Sequence, residues 1–157
     1  MSPAALVSAY FILKMSLDSS LEIYIDGASK GNPGPAGVGV VICRNGETIN
    51  NISSYIGDAT NNLAEYTALL YGLEEAFRLK AKEVKVYTDS ELLCKQLNKE
   101  YKVRDHKIQI LYNQAKHLIC AFNNFNVVHI KREDNRGADK LANLAVKKAK
   151  AKTLTEP

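Results

Sequence analysis

The chain has 157 residues, 46% hydrophobic and 24% charged, which is typical of a globular protein and predicts one domain with one core. Its net charge of +4 permits a polyanionic partner without requiring one. The three cysteines are odd in number and far apart, and only three histidines are present, which argues against a disulfide framework or a zinc site and favours free thiols in a reducing compartment.

The two ends of the chain differ from the sequence between them. The opening stretch MSPAALVSAYFILKM is apolar but lacks the positive charge and cleavage site of a signal peptide. It is also shorter than the roughly 20 apolar residues that span a membrane. We therefore expect a flexible N-terminal extension at 1–20, a single domain at 21–150 and a C-terminal tail at 151–157.

The first half of the domain has the patterns of three strands. LEIYID (Leu21–Asp26) alternates apolar and polar residues, and AGVGVVICR and ETINNISSYIG are further extended runs separated by Asn45-Gly46, a strong hairpin signal. The glycine-rich stretch after Asp26 leads into a strand, whereas a phosphate-cradling loop must lead into a helix. We interpret it as a turn between antiparallel strands.

The second half mixes helices with two more strands. TNNLAEYTALLYGLEEA has helical spacing, and EVKVYTD is a strand over Glu83–Thr88. Two helices follow, in SELLCKQLN and KIQILYNQAKHLICAF, then a fifth strand in FNVVHIK and a last helix in NRGADKLANLAVKKAK. This order predicts an α/β domain with a five-stranded mixed sheet, three antiparallel strands plus two parallel, flanked by helices.

Four acids occupy positions from which they can converge. Asp26 and Asp89 each end a predicted strand, Glu65 lies at the start of a helix, and Asp139 lies early in the last helix. Each acid alone is more often a turn, cap or surface residue. Together, at the carboxyl edge of neighbouring parallel strands, they would repel one another unless a divalent cation were bound. Mg²⁺ prefers such carboxylates, and two ions about 4 Å apart suit attack on a phosphodiester.

The segments YIDGASKGNPGPAGVGVVI, TNNLAEYTALLYGLEEA, VYTDSELLCKQL and NRGADKLANLA resemble, in order and setting, the type 1 ribonuclease H family, from Leu21 to about Lys148. The resemblance implies the ribonuclease H-like fold and four metal-binding catalytic acids: Asp26, Glu65, Asp89 and Asp139. It implies an endonuclease that hydrolyses the RNA strand of RNA–DNA hybrids with Mg²⁺, or Mn²⁺ as a substitute, and leaves 5′-phosphate and 3′-hydroxyl ends. We expect a cytoplasmic monomer with no membrane and no obligatory protein partner.

The resemblance also implies substrate contacts around the acids. The residues at the matching positions are Gly27, Ala28, Ser29, Asn32, Thr60, Asn61, Asn62, Ser90 and Arg132. Helix capping explains Thr60 to Asn62 equally well, and both roles can coexist. Ser90 is followed by Glu91 where the family often has glutamine, which is a departure from its pattern.

Two further departures concern turnover and binding. No histidine lies between Lys131 and Asp139, where many members carry a loop histidine, so we expect Arg132, Glu133 or Arg136 to substitute in part through charge. The chain has no tryptophan, and NKEYKVRDHK stands in place of a longer basic insertion, which predicts weaker, strongly salt-dependent hybrid binding. A side activity on double-stranded RNA, another nuclease or strand-transfer enzyme of this fold, and a non-catalytic module that binds hybrids or double-stranded RNA all stay open.

Overall fold

The structure is a computed structural model that describes residues 1–155. The order of its elements agrees with the prediction from the first strand onward, and β4 has the predicted ends. In chain order the elements are α1 (Pro3–Asp18), β1 (Ser20–Ser29), β2 (Gly34–Arg44), β3 (Glu47–Ala59), α2 (Asn61–Arg78), β4 (Glu83–Thr88), α3 (Glu91–Leu97), α4 (His106–Ile119), β5 (Asn124–His129), a 3-10 turn (Arg132–Asp134) and α5 (Arg136–Thr155).

The five strands form one sheet in the order β3-β2-β1-β4-β5. The pairs β1–β2 and β2–β3 are antiparallel, and the pairs β1–β4 and β4–β5 are parallel, so the predicted mixed sheet is confirmed. The hairpin between β2 and β3 turns at Asn45 and Gly46, whose φ angles of 52° and 80° are the left-handed values that a two-residue turn requires. β1 is the central strand, and its Ile23 and Ile25 are fully buried.

Helices pack on both faces of the sheet. A side chain at Gly72 of α2 would meet Ile23 and Val40, so α2 lies on the face that carries the apolar side chains of β1 and β2. A Cβ at Gly39 would lie 2.0 Å from the carbonyl oxygen of Ala138 in α5. Because neighbouring positions of a strand face opposite ways, α5 covers the other face, and glycine in β2 permits its close approach.

The ends of the chain are helical in this structure. The helix α1 occupies most of the predicted extension at 1–20, and its main contact with the sheet is with β1. At the other end α5 continues to Thr155, so the predicted tail at 151–157 begins inside a helix, and 156–157 lie outside the described residues. Within residues 1–155, no helix combines the length and apolar content needed to span a bilayer.

Candidate metal centre

Two of the four acids lie side by side because their strands are parallel neighbours. The β1–β4 ladder ends at the pair Ile25 and Thr88, so Asp26 and Asp89 are the next residues of two adjacent strands. The prediction that Asp26 ends its strand is wrong, since β1 continues to Ser29. The reason is that β1 loses its partner β4 at this point but stays paired with β2. The side chains still meet at one edge of the sheet.

The third acid is brought in by α2, whose backbone lies directly on β1. A Cβ at Gly27 would lie 2.3 Å from the carbonyl carbon of Ala64 and 2.4 Å from the nitrogen of Glu65, so only glycine permits this contact. Glu65 is the fifth residue of α2, just beyond the first turn in which we expected it. Asp26, Glu65 and Asp89 each offer a carboxylate oxygen, and these oxygens lie within 4.8 Å of one another.

The fourth acid faces the same cavity from α5. We call this cavity the acid pocket; it has a volume of about 370 Å³ and is lined by Asp26, Glu65, Asp89 and Asp139 among others. Asp139 lies outside the group of three. Its Oδ1 accepts a hydrogen bond from Asn143 Nδ2 at 3.2 Å and lies 3.6 Å from Arg132 Nη2. The structure thus places the four predicted acids around one pocket, with three of them in the tightest cluster.

The clustered negative charge of the acid pocket favours the binding of protons or cations. Asp26 is only 5% exposed, and burial, together with the negative charge of Asp89, raises its pKa to about 8. The pKa of Glu65 is raised well above its ordinary value, first by burial and then by the charges of Asp26 and Asp89. A hydrogen bond from the backbone N–H of Gly27 acts in the opposite direction and lowers this pKa. Burial also raises the pKa of Asp89, while the positive charge of Arg132 opposes that shift.

The pocket fits a divalent cation in chemistry as well as in charge. Its clustered donors are all carboxylates, the ligands that hard ions such as Mg²⁺ prefer. Glu65 Oε2 is buried and has no hydrogen-bond partner among the described residues. A buried carboxylate oxygen without a partner is costly, and a cation at this position would satisfy it.

Eight of the nine residues predicted to contact substrate line two neighbouring cavities, and Ser90 lines neither of them. Five of them line the acid pocket: Gly27, Ala28, Ser29, Asn61 and Arg132. Asn32, Thr60, Asn61 and Asn62 line a second cavity of about 680 Å³ that reaches the start of α4. Asn61 therefore belongs to both, and it connects the metal centre to this groove.

Several of these polar residues also hold the backbone in place. Thr60 Oγ1 caps α2 by accepting from Leu63 N at 3.2 Å, and Asn32 Oδ1 accepts from Asn61 N at 3.0 Å. Ser90 caps α3 through a hydrogen bond from Leu93 N to its Oγ at 3.2 Å. The capping interpretation of Thr60 is therefore confirmed, and Asn32 adds a second acceptor at the same helix end.

Three residues that the sequence reasoning missed lie at the metal centre. Asn135 is 1% exposed, its Nδ2 donates to the carbonyl of Ile25 at 2.8 Å, and its side chain lowers the pKa of Asp89 by a hydrogen bond. Lys30 and Asn143 line the acid pocket. Asn135 and Asn143 lie four residues before and after Asp139, and that helical spacing is the signal that would have found them.

Comparison with known proteins gives consistent matches. A family model described as "Reverse transcriptase-like" matches residues 24–145. The bifunctional protein Rv2228c of Mycobacterium tuberculosis is 40% identical to this chain over 126 residues. The match covers 79% of this chain and 35% of that protein, so the chain spans about a third of the length of the first curated relatives it matches. RNase H1 from Halobacterium salinarum has a TM-score of 0.80 at 37% identity, covering 82% of this chain and 98% of that chain. LC11-RNase H1 in complex with RNA/DNA hybrid has a TM-score of 0.78 at 41% identity, and the match covers 82% of this chain and 98% of that chain.

Proposed function

Because this chain belongs to the ribonuclease H family, we propose that it is an endonuclease that hydrolyses the RNA strand of RNA–DNA hybrids and leaves 5′-phosphate and 3′-hydroxyl ends. The observation that carries the proposal is the cluster of Asp26, Glu65 and Asp89, whose oxygens lie within 4.8 Å of one another in an open pocket. A related protein, LC11-RNase H1, has been solved with an RNA/DNA hybrid, which supports the choice of substrate.

The four acids would hold Mg²⁺, with Mn²⁺ as a substitute. Bound ions supply an activated water and neutralise the charge that develops on the phosphate. Asp26 lies at the centre of the four, since side-chain hydrogen bonds to Asp139 and Glu65 and the charge of Asp89 all act on its pKa. A carboxylate in this central position would help to hold the ions together with its neighbours. Asp139, at the edge of the cluster, would complete the site from the side of α5.

The residues around the acids would position the hybrid. We place Glu65 beside the 2′-hydroxyl that separates RNA from DNA, because it projects from α2 toward the pocket. The side chain of Arg132 is 78% exposed at the same pocket, where its charge can reach a phosphate. The second cavity, at the N-terminus of α2, would take a phosphate of the DNA strand, with Thr60 and Asn62 among its donors.

The test compares four nucleic acids and three metal conditions. We expect the RNA strand of a labelled hybrid to be cut in Mg²⁺ or Mn²⁺ and left intact in chelator, with 5′-phosphate ends on the products. Comparable cutting of the RNA duplex would widen the substrate class to double-stranded RNA. Cutting of the DNA duplex, or of DNA single strands, would favour the strand-transfer type of enzyme. Binding of hybrid without cleavage in either metal would contradict the enzyme and support a binding module.

A cytoplasmic, monomeric protein is part of the same proposal. Cys43, Cys94 and Cys120 are all free thiols, which suits a reducing compartment. The measurements are fractionation of the source cells and light scattering of the purified chain at several concentrations. A periplasmic or extracellular protein, or a stable dimer, would contradict the corresponding half of the proposal.

A further inference from the structure

Three polar side chains connect the turn after β1 to α5 across the acid pocket. Lys30 Nζ donates to Asn143 Oδ1 at 2.9 Å, and Asn143 Nδ2 donates to Asp139 Oδ1 at 3.2 Å. The same nitrogen also donates to the backbone carbonyl of Asp139 at 2.9 Å. All three residues line the pocket, so this series of hydrogen bonds ends on the acid that lies outside the cluster of three.

The two end groups fix the orientation of the amide between them. An ammonium group only donates and a carboxylate only accepts, so Asn143 must turn its oxygen toward Lys30 and its nitrogen toward Asp139. Asparagine meets both demands from a position one helical turn beyond Asp139. An aspartate of the same size would accept from Lys30 but would repel Asp139 instead of donating to it.

The glycine-rich turn holds Lys30 where this contact can form. Lys30 N donates to the carbonyl of Pro35 at 2.8 Å, which closes the turn between β1 and β2. Gly31 has a φ of 111°, a conformation that favours glycine. The side chain of Lys30 extends from this turn toward α5, where its ammonium group reaches Asn143 although the residue itself is exposed.

We propose that Lys30 and Asn143 are positioning residues for Asp139. The hydrogen bond from Asn143, which Lys30 orients, holds Oδ1 and would leave the other carboxylate oxygen to the divalent cation. Arg132 reaches the same Oδ1 at 3.6 Å with a side chain that is 78% exposed, so Asn143 is the closer constraint. The inference rests on the proposed function, because it deepens the account of the same metal centre.

The test is a double-mutant cycle of Lys30→Met and Asn143→Ala, read by Mn²⁺ calorimetry on the full chain without nucleic acid and by steady-state cleavage of a hybrid. We expect Asn143→Ala to weaken Mn²⁺ binding about tenfold, as is usual for residues that orient metal ligands. Lys30→Met should weaken it about threefold, the effect of one hydrogen bond. The double variant should bind no more weakly than Asn143→Ala, because Lys30 acts only through Asn143. In cleavage, kcat should fall while KM for the hybrid stays unchanged.

Three further variants separate positioning from general charge or misfolding. Lys147→Met removes a cation from the same helix but outside the acid pocket, and we expect wild-type Mn²⁺ affinity and kcat. Lys30→Arg keeps a donor and should recover most of the affinity lost in Lys30→Met. Asn143→Asp is nearly isosteric, so it should fold normally, and it should weaken Mn²⁺ binding at least as much as alanine does.

Other outcomes would overturn the inference. A raised KM with unchanged Mn²⁺ affinity in Lys30→Met would mean that Lys30 contacts the substrate directly. Additive losses of Mn²⁺ affinity in the double variant would mean that Lys30 acts independently of Asn143. Unchanged Mn²⁺ affinity in Asn143→Ala and Asn143→Asp, or no Mn²⁺ binding by the wild type, would contradict it equally. A wild-type chain that binds Mn²⁺ but cuts no hybrid would instead contradict the proposed function, while the titration would still decide the roles of Lys30 and Asn143.

Discussion

In a globular protein, charged side chains are usually exposed and large apolar ones are usually buried, and the acid pocket and the helix α1 depart from this pattern in opposite ways. The pocket buries carboxylates, with Asp26 only 5% exposed, whereas α1 leaves apolar side chains such as Ile12 and Met15 68% exposed. A bound cation would offset the unfavourable burial in the pocket, whereas most of the apolar surface of α1 stays exposed. The comparison teaches that the pocket is a departure built into the centre of the domain, while α1 is attached to its edge. Substitutions in the acid pocket and the removal of α1 should therefore differ greatly in their effects on cleavage.

The largest effect is expected from Asp89→Asn in the pocket. The variant removes one of the three clustered charges that would hold the cations, and we expect hybrid cleavage to fall at least about 1,000-fold, the loss typical of removing a main source of transition-state stabilisation. Steady-state cleavage with Mg²⁺ and with Mn²⁺ measures it. The matched control is Asp18→Asn at the end of α1, which should leave cleavage unchanged. Residual activity above about a tenth of wild type would mean that Asp89 does not hold the metal.

The second prediction concerns stability without metal. Burial raises the pKa of Asp26 from 3.8 to about 8, so between these values the folded state holds a proton that the unfolded chain has lost. This contribution to stability is complete below the unfolded pKa and disappears as the pH rises to the folded one. The free energy of unfolding should therefore fall as the pH rises, by at most about 1.4 kcal/mol per pH unit for one proton. Asp26→Asn should lack the part of this fall that Asp26 causes, while the raised pKa values of Glu65 and Asp89 keep their own contributions.

Urea unfolding in chelator at pH 5, 6.5 and 8 checks this prediction. The stability of the wild type relative to Asp26→Asn should decline across the series, and Mg²⁺ should restore it at pH 8. Asp18→Asn serves again as the control and should follow the wild type. Parallel pH dependence of wild type and Asp26→Asn would show that Asp26 titrates like an exposed aspartate.

The sequence was enough to predict the sheet and the meeting of the acids, because both follow from strand order. Residues that follow adjacent parallel strands share an edge whatever the details of packing, which is the case for Asp26 and Asp89. The place of Asp139 depends on how closely α5 approaches β2, and that distance is set by Gly39 and by contacts that no periodicity encodes. Asn143 escaped notice because a neutral polar residue on a helix is typical of a solvated surface.

The helix α1 could not be predicted from its pattern for a different reason. A surface helix is recognised by an apolar stripe beside a polar face, and the residues of α1 are apolar nearly all round. Its length of 16 residues is too short for the pattern of a spanning helix. The pattern of α1 alone therefore predicts no element type.

A smaller effect is expected from Asp139→Asn. This side chain is 31% exposed, lies outside the cluster of three and already interacts with Arg132 and Asn143. The amide keeps one oxygen that can face a cation, so we expect kcat to fall about tenfold, an effect of the size seen when a supporting metal contact is weakened. The measurement is cleavage against Mn²⁺ concentration. A loss as large as that of Asp89→Asn would make Asp139 an equal member of the cluster.

The smallest effect is expected from removing residues 1–18. The backbone carbonyl of Ser19 accepts from Lys82 N at 2.8 Å and from Glu83 N at 3.3 Å, and a chain that starts at Ser19 keeps both hydrogen bonds. Because α1 buries little against the domain, the free energy of unfolding should change by less than about 1 kcal/mol, as for surface changes in general. Cleavage should stay at the wild-type rate. A loss above about 2 kcal/mol, measured by urea unfolding, would show that α1 is part of the folded domain and would remove the contrast with the acid pocket.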